Sequence, residues 1–143
     1  MNNRFRRLGD DYCFACGQAN PRGLRLTFQW EGERLVTRTT LAREYQGYPG
    51  AAHGGIVTTL LDEVMANFMA ERGEKAVTAR IEVRYRQTTP IGEPLTVTGW
   101  REKRRGKFVT TRAEIRLADG TVTAEGTATM AVVEELEATG KDE

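Results

Sequence analysis

A single histidine, two cysteines and four prolines serve all 143 residues, and the acidic and basic side chains nearly cancel to a formal net charge of +1. Each scarcity excludes something. Near-neutrality argues against a chain that holds nucleic acid or a membrane surface through bulk charge. No apolar run approaches the roughly 20 residues that span a bilayer. The opening "MNNRFRRLGDDY" also lacks the apolar stretch of a secretory signal. A cytoplasmic protein with neither a nucleic-acid nor a membrane partner is expected. Cys13 and Cys16, in "CFAC", fall short of the ligands of a closed zinc site, and the histidine is distant in sequence, so no metal is expected. The length suits one hydrophobic core, hence one domain over residues 1–143.

Residues 1–22 form a turn-rich leader, with Gly17, Asn20 and Pro21 in "CGQANPRG". "LRLTFQW" then alternates, with Leu24, Leu26, Phe28 and Trp30 on one face, and predicts a first strand. "RLVTRTTL" predicts a second. From Ile56 the period changes to nearly four. Ile56, Leu60, Val64 and Phe68 make one row and Val57, Leu61, Met65 and Met69 the next, an apolar stripe on a helix of about 16 residues that stops near Gly73. "AVTARIEVRYR" alternates again, with Val77, Ala79, Ile81, Val83 and Tyr85 opposite Thr78, Arg80, Glu82, Arg84 and Arg86. Three more strands follow, "LTVTGWREK", "KFVTTRAEIRLA" and "TVTAEGTATMAVVEEL", with Asp119-Gly120 suited to a two-residue hairpin. Residues 135–143 read as a polar, frayed tail. The order β-β-α-β-β-β-β is an α+β fold. Its long strands leave an edge that pairing between copies would cover, so at least a dimer is expected.

Chemistry concentrates in "HGGIVTTLLDE". His53, Gly54 and Gly55 precede the helix, whose first N–H groups have no internal partner and carry the positive end of its dipole. Such N–H groups suit an oxyanion. Asp62 lies across the helix from the apolar stripe, in a row with Thr58, Ala66 and Ala70. Exposed helix faces carry longer charged side chains, so these small neighbours predict close packing around a carboxylate able to act as base or nucleophile. Glu63, turned about 100° away, cannot aim at the same point. A third feature is the basic stretch "WREKRRGKFVTTRAEIR", with seven Lys or Arg against two Glu, joined by Arg84 and Arg86. Clustered guanidinium and ammonium groups suit the phosphates of a small ligand.

These residues together resemble the hotdog-fold acyl-CoA thioesterases, in particular the PaaI-like branch of the 4-hydroxybenzoyl-CoA thioesterase superfamily. "HGGIVTTLLDE", the leader "CFACGQANPRGL" and the loop "TTPIGEPL" carry the resemblance, which covers roughly residues 13–133. It implies one long central helix wrapped by a curved antiparallel sheet of about six strands, assembled as a homodimer or homotetramer with the site at the dimer interface. It implies hydrolysis of an acyl-CoA thioester by Asp62, with a Gly54 or Gly55 N–H on the carbonyl and His53 nearby. Thr78 would assist the carboxylate. Arg84, Arg86, Arg104, Arg105 and Lys107 become candidates for the CoA phosphates. No cofactor is implied, since coenzyme A is part of the substrate. Gly47 departs from relatives that place Asn or Gln six residues before the histidine. A non-catalytic acyl-CoA-binding module on the same fold is the alternative.

Overall fold

The computed structural model describes residues 11–135; most of the predicted polar tail and the first ten residues of the leader lie outside that range. The chain runs β1 (Gln29–Glu31), β2 (Arg34–Thr40), a short 3-10 turn (Arg43–Tyr45), α1 (Gly54–Glu71), β3 (Glu74–Tyr85), β4 (Pro94–Arg105), β5 (Phe108–Leu117) and β6 (Val122–Glu135). All neighbouring strands are antiparallel, in the order β1-β2-β4-β5-β6-β3. The predicted element order and the long helix against a six-stranded sheet are both observed.

The helix is the core's centre. Leu60, Leu61, Val64, Met65, Phe68 and Met69 are all buried against inward residues of the strands, among them Val97, Ile115, Ala128 and Met130. Burying each large apolar side chain stabilises the fold by about 1.5–3 kcal/mol relative to exposure. The helix sits unusually close to the sheet. A β-carbon on Gly99, in mid-β4, would lie 3.2 Å from the Val64 carbonyl oxygen, so a side chain there would push the helix outward. This explains a glycine inside a strand that otherwise reads Thr-Val-Thr.

Three local expectations are corrected. The first strand is only Gln29–Glu31, because Arg25 takes a left-handed conformation (φ 53°) and breaks the alternation. Leu24 and Leu26 instead donate their N–H groups to the Phe14 and Ala15 carbonyls of the leader, at 2.8 and 2.9 Å. The apolar face survives without the strand, since Leu26 and Phe28 are buried. The β5–β6 connection is not a two-residue hairpin. Only Gly120 of the Asp119-Gly120 pair has positive φ, and its N–H closes a turn onto the Leu117 carbonyl at 2.9 Å. A type I turn followed by one left-handed glycine makes a three-residue loop.

The third correction bears on function. Thr78 pairs with Met130 and Arg80 with Thr129, so Ala79 is an extra residue in β3, a β-bulge. The bulge reverses which side chains face the helix. Thr78 joins Ile81, Val83 and Tyr85 on the helix side, and Val77 turns outward, 48% exposed. The expected common face of Thr78, Arg84 and Arg86 therefore does not form.

Candidate functional site

α1 opens at His53, which caps it. Its backbone is extended (φ −60°, ψ 136°), and its Nδ1 accepts the Gly55 N–H at 2.9 Å. Its carbonyl accepts the N–H groups of Ile56 and Val57 at 2.9 and 3.0 Å. Three of the first helical donors are thus occupied. The Gly54 N–H has no acceptor among the described residues and is the free donor at the positive end of the helix. Of the two glycines considered for the carbonyl, Gly55 is engaged in the cap. Gly47 packs against the histidine from the preceding loop, where an added β-carbon would lie 3.2 Å from the His53 α-carbon.

Tyr85, which the sequence reading did not single out, closes this end of the helix. Its hydroxyl donates to the Gly54 carbonyl at 3.1 Å and lies 2.6 Å from the Thr58 hydroxyl. A cleft of about 660 Å³ opens beside it, lined by Tyr48, Ala52, His53, Gly54, Val57 and Tyr85 among others. The lining is largely apolar.

Asp62 lies two turns further along the helix. Its Oδ1 accepts a hydrogen bond from the Thr78 hydroxyl at 2.8 Å. The row Thr58-Asp62-Ala66-Ala70 is not turned away from the sheet, as expected, but lies over the edge strand β3, where Tyr85 meets Thr58 and Thr78 meets Asp62. Asp62 is half-buried and does not line the cleft at the helix start.

Glu63 belongs to a different environment. Burial pushes its carboxyl above the usual carboxylate range, against the opposing effect of hydrogen bonds from Cys16, Asn67 and Cys13. The buried Asn67 side chain donates to Glu63 Oε2 at 2.7 Å. Cys13 Sγ lies 3.8 Å from the same oxygen. The separation of the two adjacent carboxylates follows from helix geometry; the thiols around the second one were not foreseen, because fifty residues separate Cys13 from Glu63.

The basic residues are dispersed. Arg86 Nε pairs with Glu125 Oε2 at 2.7 Å, holding that carboxyl below its usual range. Arg84 lines a shallow polar hollow with Arg112 and Glu125. Arg104 is at the opposite end of β3, bound to Glu74 at 2.7 Å and to the Gly106 carbonyl at 2.8 Å. Arg105 and Lys107 are exposed at the same β4–β5 tip, with the Lys107 ammonium over the Phe108 ring. One chain does not bring these five cations together.

A family model described as the thioesterase superfamily matches residues 49–124. This chain belongs to that superfamily. The match includes the helix start, Asp62, Thr78 and the basic tip. Acyl-coenzyme A thioesterase 13 of Mus musculus is 29% identical over 68 residues, 46% of this chain and 49% of the mouse protein. The chain thus spans about half the length of that curated relative. Among solved structures, RHA08564, a thioesterase superfamily protein, is 32% identical with a TM-score of 0.80, covering 85% of this chain and 63% of its own. The protein smu.793 from Streptococcus mutans UA159, solved bound to acetyl CoA, has the same fold at 21% identity (TM-score 0.73, 78% of this chain and 91% of its own). Among the described residues of this superfamily member, no helix is long and apolar enough to cross a membrane.

Proposed function

We propose that this thioesterase-superfamily chain hydrolyses an acyl-CoA thioester to the free acid and coenzyme A. The observation that carries this reading is the Asp62 carboxylate held through one oxygen by Thr78, leaving its other oxygen for chemistry. The carboxylate attacks the thioester carbon directly or takes a proton from a water that does so. The Gly54 N–H stabilises the resulting oxyanion at the positive helix end. His53 holds that donor in place by capping the helix, and CoA leaves as the thiol. The reaction draws on no cofactor.

The two groups belong to different copies. Eight residues of helix put Gly54 and Asp62 about 12 Å apart along the axis and about 80° around it. A carbonyl oxygen must lie about 3 Å from its donor, with the attacking atom about 3–3.5 Å from the carbon. One thioester therefore does not reach both groups on one chain. β3 is a twelve-residue edge strand whose outer side meets no other described strand. Antiparallel pairing of two such edges about a two-fold axis near Ile81 sets the Tyr85 end of one copy beside Thr78 of the other. The helix start of one copy then faces Asp62 of its neighbour. The 54% exposure of Tyr85, on the helix side of this edge, fits a surface covered by the second copy. The dimer is accordingly the smallest active unit, and the exposed cations of the β4–β5 tip are the reading's candidates for CoA phosphates.

The test is free-thiol release from a panel of aryl-, short- and medium-chain acyl-CoA esters by the parent and by Asp62→Asn. The reading expects turnover of at least one ester, and in the variant a loss of at least about 100-fold, the scale of positioned acid–base catalysis. Unchanged turnover in the variant removes Asp62 from the mechanism. Tight ester binding without thiol release by the parent replaces hydrolysis with a binding role.

A further inference from the structure

Outside the 49–124 match, the leader forms a tight turn that nothing above employs. Cys13, Phe14, Ala15 and Cys16 bend so that the Gly17 N–H meets the Cys13 carbonyl at 2.8 Å and the Cys16 N–H points to Cys13 Sγ at 3.5 Å. The bend tolerates only glycine after Cys16, since a β-carbon on Gly17 would lie 2.3 Å from the Cys13 nitrogen. Asp11 braces it, accepting the Gln18 and Ala19 N–H groups at 3.1 and 2.9 Å. The turn delivers both sulfurs to one place on α1, and the Glu63 carboxylate is there. One ligand atom from each of Cys13, Cys16 and Glu63 lies within 4.8 Å of the others.

We propose that Cys13, Cys16 and Glu63 form a site for a divalent cation of the zinc class, which clamps the leader turn to the helix that carries Asp62. The spacing suits it. Metal–sulfur bonds near 2.3 Å and metal–oxygen bonds near 2.0–2.2 Å at a tetrahedral angle separate the ligand atoms by about 3.6 Å. Cys13 Sγ and Glu63 Oε2 are already 3.8 Å apart. The surroundings suit it too. Asn67 fixes the carboxylate through its 2.7 Å hydrogen bond, the second partner that ligating carboxylates usually have. The Asn67 side-chain oxygen is itself buried without a hydrogen-bond partner among the described residues. Since amide oxygen and nitrogen are about 2.2 Å apart, it lies within about 5 Å of that carboxylate oxygen. Two thiolates and a carboxylate are a donor set that favours zinc over magnesium or calcium. Cys16 is fully buried and Cys13 exposed, so the fourth position opens toward solvent beside Cys13 and takes water. Binding releases the two thiol protons and changes no oxidation state. The ligand count in the sequence stops at two thiols and a distant histidine; the fold supplies a carboxylate instead.

Cobalt(II) added to the full chain, stripped with chelator and kept under a non-thiol reductant, tests this. The proposal expects one cobalt per chain, a thiolate-to-cobalt charge-transfer band with the intense visible bands of tetrahedral cobalt, and loss of both on adding stoichiometric zinc. Zinc is expected to raise the thermal unfolding midpoint and to slow alkylation of both cysteines. Cys13→Ser, at an exposed position, and Glu63→Gln are each expected to weaken zinc binding at least tenfold while the far-ultraviolet circular dichroism stays unchanged. Absence of the charge-transfer band overturns the site. So does zinc affinity that Glu63→Gln leaves intact, and so does a preparation in which the pair only oxidises to a disulfide.

Discussion

At the scale of single residues, the proposed mechanism divides labour between one free N–H and one braced carboxylate. Proline at Gly54 removes the N–H while keeping a residue suited to the first helical position. His53, with ψ at 136°, already has the extended backbone that a following proline requires. Alanine there keeps the N–H and makes only ordinary contacts, at 3.6 Å or more from Tyr85. Gly54→Pro is therefore expected to lower kcat by about 10²–10³-fold, the cost of an oxyanion donor, beyond any effect of Gly54→Ala. Equal rates in the two variants would take the N–H out of the mechanism. Thr78→Val keeps the shape and deletes the hydrogen bond to Asp62. A bond to a charged group contributes about 1.5–3 kcal/mol, so kcat is expected to fall roughly 10- to 100-fold with the unfolding midpoint little changed. His53, the rarest residue in the sequence, serves as a helix cap through Nδ1.

At the scale of elements, α1 presents three different faces, and they were legible to different degrees. The apolar stripe was readable, because its residues repeat at the helical period and all of them but the half-buried Ile56 are buried. The Asp62 row was readable as closely packed, but not as lying over β3. The strand's face is set by the bulge at Ala79, and a bulge leaves no mark in an alternating run of apolar and polar residues. Tyr85 keeps the face its alternation predicts, but nothing in the sequence marks its hydroxyl as the partner of Gly54 and Thr58. The Glu63 row was readable only as pointing away from Asp62, since its thiol neighbours come from the leader, far away in sequence. Its environment predicts a pH effect. Burial raises the folded-state pKa of Glu63 above its unfolded value, so the stability it contributes is full below the unfolded value and is lost as pH rises through the folded one. Glu63→Gln mimics the protonated form. In metal-free protein, the parent and Glu63→Gln are expected to unfold at the same temperature at acidic pH. Above the unfolded value the variant is expected to be the more stable, by a margin that grows until pH passes the folded value and is constant beyond it. A margin independent of pH would contradict the buried placement of this carboxyl.

At the scale of the whole molecule, the proposal ties the long edge strand β3 to the distance between Gly54 and Asp62. In the proposed mechanism, a donor and a carboxylate two helical turns apart call for a second copy, and the β3 edge is where that copy would attach. An isologous two-fold interface repeats every contact, so each dimer holds two such sites. The most direct measurement mixes Gly54→Pro with Asp62→Asn, each nearly inactive alone, and lets subunits exchange. Half of the random dimers are hybrids, and in each hybrid one site carries both lesions and the other neither. Thiol release is expected to recover to about a quarter of the parent's rate. Mixtures in which differently tagged subunits co-purify as hybrids, yet release no more thiol than the separate variants, would contradict the shared site.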